Sequence, residues 1–148
     1  MKKIIARTLS SEHRFPDMIL LLLRFLVGVT MMTHGVAKLL SFGELSATFP
    51  DPIGLGSSLS LLLIISAEIG CSVLLILGAF TRLATLPLIF SMLVVIFIVH
   101  GGDPFQAKEL PLLYLGIYVV LFFTGGGRYA LDILISKHWN VNIRDTSD

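Results

Sequence analysis

Residues 18–40 read M-I-L-L-L-L-R-F-L-V-G-V-T-M-M-T-H-G-V-A-K-L-L. The run exceeds the about 20 residues that an α-helix needs to cross a hydrocarbon core of roughly 30 Å. It also carries an arginine, Arg24, where a charge costs at least a few kcal/mol unless it is paired, faces a bundle interior, or reaches the interface. A second apolar run holds Glu68 in the same way. A chain that keeps a cation and an anion inside its most apolar stretches reads as a membrane protein with an organised polar interior.

Working outward, 55% of the 148 residues are apolar and 14% are charged, against about a quarter charged in a soluble domain. Mean hydropathy is +0.88. Four helices are predicted, at about 18–40, 57–80, 83–100 and 109–124. They make residues 1–148 a single integral membrane domain: an all-α, four-transmembrane-helix bundle with a short interfacial C-terminal segment. That segment follows G-G-G at 125–127 and runs R-Y-A-L-D-I-L-I-S-K-H-W. It is too short and polar to span, and Tyr129 and Trp139 suit the headgroup zone. The first run is too long for a signal-peptide core and is read as retained.

The basic residues set an orientation. Lys2, Lys3, Arg7, Arg14, Arg82, Arg128, Lys137 and Arg144 fall on one side, and only Lys38 and Lys108 on the other. The positive-inside rule puts both termini in the cytoplasm, with the protein multi-pass in a bacterial cytoplasmic (inner) membrane. Nucleic-acid binding has no support, because no basic stripe combines with stacking aromatics. Cys71 is the lone cysteine, which excludes dithiol exchange within the chain. No metal site is expected.

At about 100° per residue, Arg24, Gly28, His34, Gly35 and Lys38 share one arc of the first helix, and Ser57, Ser60, Glu68 and Ser72 one arc of the second. Glycines on such a stripe permit close helix approach, so the two stripes are expected to face each other. His34 lies roughly 24 Å along its helix, and His100 comes out at a similar depth on the third. The candidate polar pocket is therefore His34, Lys38, Glu68, His100 and Glu109, in the outer leaflet. Arg24 and Glu68 form the expected buried charge pair. Competing readings stand beside these: Lys38 and Arg24 snorkel to the interfaces, and His100 caps the end of its helix. Arg82, Arg128 and Asp132 belong to the cytoplasmic rim, where Asp132 is placed to pair with Arg128 at i,i+4.

R-F-L-V-G with M-M-T-H-G-V-A-K, then A-E-I-G-C with L-I-L-G-A-F-T-R, then G-G-G-R-Y-A-L-D, come in an order and spacing that resemble the DoxX family of small four-helix bacterial membrane proteins. The resemblance runs from about Arg24 to Asp132. Gly126 stands where the family often has proline, and Ala130 where it often has serine. The resemblance implies association with quinone or quinol oxidoreductase assemblies, with quinone-like or oxidative stress, or with a membrane oxidoreductase complex.

The leading functional expectation is a subunit or accessory of quinone-linked redox chemistry, with electrons supplied by a protein partner or a bound cofactor and no complete catalytic motif in the chain itself. A quinone is the cofactor that the pocket would take; His34 and His100 as axial ligands of haem b are a narrower variant. The alternatives are a binding or transport protein for a small lipophilic or anionic molecule, and a structural assembly subunit, either of them in membrane lipid and open to homo-oligomerisation.

Overall fold

The structure, a computed structural model, describes residues 14–138. Residues 1–13 and 139–148, which hold Lys2, Lys3, Arg7 and Arg144 of the basic set and the headgroup anchor Trp139, lie outside the described residues. The chain is all-helical. Helix α1 (Arg14–Leu40) is followed by a single turn, α2 (Phe42–Leu45). Then come α3 (Ser57–Leu77), α4 (Thr81–Val99) and α5 (Phe105–Thr124), and a short terminal helix, α6 (Leu131–His138). The four long helices are each apolar and long enough to cross a membrane. Among the described residues there is no strand.

The packing of α1 on α3 is written in glycine. A Cβ at Gly28 would lie 2.7 Å from Ile76 Cγ1, and one at Gly35 would lie 2.7 Å from Ile69 Cγ1. Neither distance is tolerable, so the two backbones approach as closely as they do only because both positions lack a side chain. Helix α4 lies along α5, and the four helices enclose a core built on Val27, Met31, Leu75, Leu88, Tyr118 and Leu121. Leucines and phenylalanines on the opposite faces stay exposed, as lipid-facing side chains do.

Two of the helices widen locally. Ala67–Cys71 in α3 and Val95–Val99 in α4 are π-helical turns. Such turns insert an extra residue into the α-helical ladder and gather at functional sites. Glu68 sits in the first.

The second helix ends at Leu77, three residues before its expected end, and the reason is local. Ala79 N–H donates to Leu74 O at 2.9 Å and Gly78 N–H to Leu75 O at 3.1 Å, the paired bonds of a Schellman stop with Gly78 left-handed at φ 70°. The fourth helix begins at Phe105, four residues before the expected Glu109, because Pro104 in extended conformation supplies its N-cap position.

Candidate functional site

Antiparallel packing sets which charges can meet. Gly28 lies against Ser72 and Ile76, and Gly35 against Glu68 and Ile69. Arg24 is therefore level with Leu75, whose carbonyl accepts from its Nη1 at 3.4 Å, while Nη2 reaches Tyr129 O at 3.3 Å. Eleven residues, or roughly 16 Å, separate Arg24 from Gly35 along α1. The Arg24–Glu68 pair expected from sequence is not formed. Glu68 takes Lys38 instead, with Nζ 2.7 Å from both Oε1 and Oε2. The Glu68 side chain is 4% exposed and that of Lys38 27%. One turn beyond Gly35, Lys38 has the stem length to lean back along the helix and reach a carboxylate that has no other escape from the membrane.

This ion pair stands in a partition. On one side is a cavity of about 300 Å³ between α3 and α4, under the long loop, with Phe49, Pro52, Ile53, Phe90 and Val94 in its wall. On the other is a smaller one of about 120 Å³, walled by Met31, His34, Met92, Leu110 and Tyr114. Lys38, Glu68 and Val95 line both. The two π-helical turns start at Ala67 and Val95, so both helix irregularities border the partition. Pro87 also lines the larger cavity, and its missing N–H loosens the α4 ladder there. Leu63 and Phe90 line that cavity and are exposed on the outside of the bundle, which opens it toward lipid.

Of the pocket residues expected from sequence, His34, Lys38 and Glu68 come together and two do not. His100 Nδ1 lies 2.8 Å from Asp103 Oδ2 in its own loop, and its ring lines neither cavity. The helix ladder stops just before it, and a carboxylate three residues on holds its ring. Glu109 is exposed one turn inside α5, because that helix begins earlier than expected. The histidine pair considered for haem b is therefore not assembled. Among the described residues no group of three His, Cys, Asp or Glu is placed to hold a metal ion.

Tyr114 takes the place of the missing members. It is 9% exposed, receives the His34 ring edge-on at 6.0 Å, and stacks on Tyr118 at 6.0 Å. The signal for it was available: Tyr114 and Tyr118 are spaced i,i+4 and mark one face of an otherwise apolar helix. Deeper still, Tyr118 OH and Ser72 Oγ are buried without a hydrogen-bond partner among the described residues.

The other end of the bundle gathers Arg82, Arg128 and Asp132 around one cavity of about 620 Å³. Asp132 does not pair with Arg128, since α6 begins only at Leu131 and the two residues share no helix. Its carboxylate accepts from Phe80 N–H at 2.5 Å and Thr81 N–H at 3.1 Å, capping the start of α4. Phe80 is the only non-glycine at positive φ among the described residues (50°), a backbone state that costs energy and persists where its surroundings hold it. Asp17 Oδ1 likewise accepts from Arg128 N–H at 3.0 Å. The G-G-G-R-Y-A-L-D segment is thus a clasp, closed by Arg24 on the Tyr129 carbonyl and by Asp132 N–H on Gly78 O at 3.0 Å.

The DoxX family model matches residues 19–101, from the Arg24 helix through the end of α4. The chain belongs to the DoxX family. Two proteins of Haemophilus influenzae are similar to it, each described as an uncharacterized protein. One is 34% identical over 84% of this chain and 96% of its own length, the other 29% identical over 80% and 83%. No solved structure matches significantly. As a DoxX member with four apolar helices, the chain is a multi-pass membrane protein in contact with lipid.

Proposed function

We propose that this DoxX protein binds the head of a quinone-class molecule at the Lys38–Glu68 pair, as a small subunit or accessory of quinone-linked redox chemistry in a bacterial cytoplasmic membrane. Both termini face the cytoplasm in this reading. The observation that carries it is the position of the ion pair, at the polar end of an apolar cavity that opens toward lipid. An ammonium has three donors, and Glu68 takes two directions of them. The remaining N–H can donate to a carbonyl oxygen, while the apolar wall takes the ring and tail. The cavity of about 300 Å³ is at the lower bound of the range for small-molecule sites. With a lone cysteine, the chain relies on a protein partner for electrons.

The test is a titration of the purified protein in mild detergent with a short-chain benzoquinone, read by equilibrium dialysis. Lys38→Met combined with Glu68→Met should weaken binding about tenfold or more, in line with one charge-assisted hydrogen bond. Unchanged affinity in that folded double variant would remove the reading. A second reading, binding or transport of a lipophilic molecule without a redox step, is favoured by the lipid-facing opening at Leu63 and Phe90. Redox difference spectra with quinone and membranes separate the two. Reporter fusions at Gly54 and Asp103 test the orientation.

A further inference from the structure

The cavity at the opposite end, where α1 begins and α6 lies, is untouched by that reading. It is the larger of the two ends' cavities, at about 620 Å³. Its two carboxylates are already committed: Asp17 to the Arg128 main-chain N–H, and Asp132 to the Phe80 and Thr81 N–H groups. They are therefore poor partners for the guanidinium groups that share the cavity. Arg82 spends one donor, Nη2 to Phe123 O at 3.2 Å, out of the five that a guanidinium carries. Arg128 is exposed at the cavity rim. With buried Arg24 behind them, three guanidinium groups stand against two carboxylates among the described side chains at this end.

Beside the guanidinium groups the wall is tightly packed. Thr81 stands in the cavity wall, but it is 0% exposed and its Oγ1, without a hydrogen-bond partner among the described residues, is covered and not presented to the cavity. The wall beside it is glycine backbone: a Cβ at Gly126 would lie 2.7 Å from Thr81 Oγ1 and 2.4 Å from Ala130 Cβ. Outside the polar groups, Leu83 and Phe123 are 64% and 71% exposed. The Arg82–Phe123 bond places this apolar surface directly beside a guanidinium.

We infer that this cavity binds the phosphate of an anionic glycerophospholipid. Arg82 and Arg128 hold the phosphate oxygens, and the acyl chains run over Leu83 and Phe123. Guanidinium forks match phosphate geometry. The apolar shoulder distinguishes a lipid from a free anion of the same charge.

Native mass spectrometry of the full chain, delipidated in detergent and then exposed to phosphatidylglycerol, phosphatidylcholine or inorganic phosphate, tests this. The expected result is a one-lipid adduct with phosphatidylglycerol, at least about tenfold weaker in Arg82→Gln/Arg128→Gln and retained in Arg82→Lys/Arg128→Lys. Thermal unfolding in the same detergent confirms that each variant is folded, and Arg128→Gln alone serves if the double variant is not. Equal adducts in wild type and the Gln variant would overturn the site. Equal retention of phosphatidylcholine would overturn the anionic selectivity, and stabilisation by inorganic phosphate alone would overturn the lipid as ligand.

Discussion

The two ends of the bundle handle charge in opposite ways. Near the terminal helix, charged side chains are tied to main chain: Asp132 to two N–H groups, Asp17 to one, Arg24 to two carbonyls and Arg82 to one. Near the long loop, a buried charge is tied to another side chain, Lys38 to Glu68, with cavities on both sides. A main-chain partner cannot be exchanged, so the first arrangement holds helix ends and turns in place. A side-chain pair can be replaced, displaced or shared with a ligand. The difference separates what fixes this fold from what is free to act.

The comparison can be broken most directly at the ion pair. Lys38→Met leaves Glu68 buried without a counter-charge and should cost about 3–5 kcal/mol. Lys38→Met with Glu68→Met should return to within about 1 kcal/mol of wild type, because a buried pair can be replaced by apolar volume at little cost. Unfolding of all variants in one detergent measures both. If the double variant is as unstable as the single, the pair belongs with the fixed elements and the contrast fails.

At the clasp the expected effect has no such rescue. Gly78→Ala places a Cβ 1.8 Å from Arg24 Nη1 and 2.8 Å from Ala130 Cα at a φ of +70°, and should cost roughly 3 kcal/mol from strain and overpacking. Asp132→Ala uncaps α4 and releases Phe80, and should cost about 2 kcal/mol. Neither change should alter quinone affinity in protein that remains folded. Altered affinity in either would show that the two ends are coupled.

The smallest effect concerns the long loop. Asp51 is held below the usual carboxylate range by the Ser60 hydroxyl first and the Gly56 N–H next. Its carboxylate stabilises the start of α3 above the unfolded pKa of about 3.9, and that contribution is lost as pH falls through the lower folded value. The amide NMR shifts of Leu55 and Gly56, which donate to Asp51 at 3.0 and 2.7 Å, should hold steady down to about pH 4 and move only below it. Asp51→Asn should remove that transition.

How far the sequence reached follows from which quantities it carries. Hydropathy carries length, so the four spans were legible, with the ends shifted where Gly78 and Pro104 set them and at the starts of α1 (Arg14 against 18) and α4 (Thr81 against 83). Helical period carries direction around an axis, so the facing stripes of α1 and α3 were legible too. It does not carry the sliding register between helices, which Gly28 and Gly35 set by contact with Ile76 and Ile69; hence Arg24 was matched to the wrong level of α3. Depth along a helix does not fix direction either: His100 is held by Asp103 in its own loop, and Glu109 is exposed. Tyr114, a buried aromatic with a polar tip, carries no charge and so stands out less from an apolar run than Arg24 or Glu68 does.

Phe80 has a consequence for how the protein is made. Its left-handed backbone and the first N–H groups of α4 are satisfied by a carboxylate that lies 51 and 52 residues further along the chain. During synthesis all four membrane spans emerge before that carboxylate does. Until Asp132 arrives, the turn between α3 and α4 is inserted but not closed. A nascent chain is therefore complete as a membrane insert before it is complete as a fold.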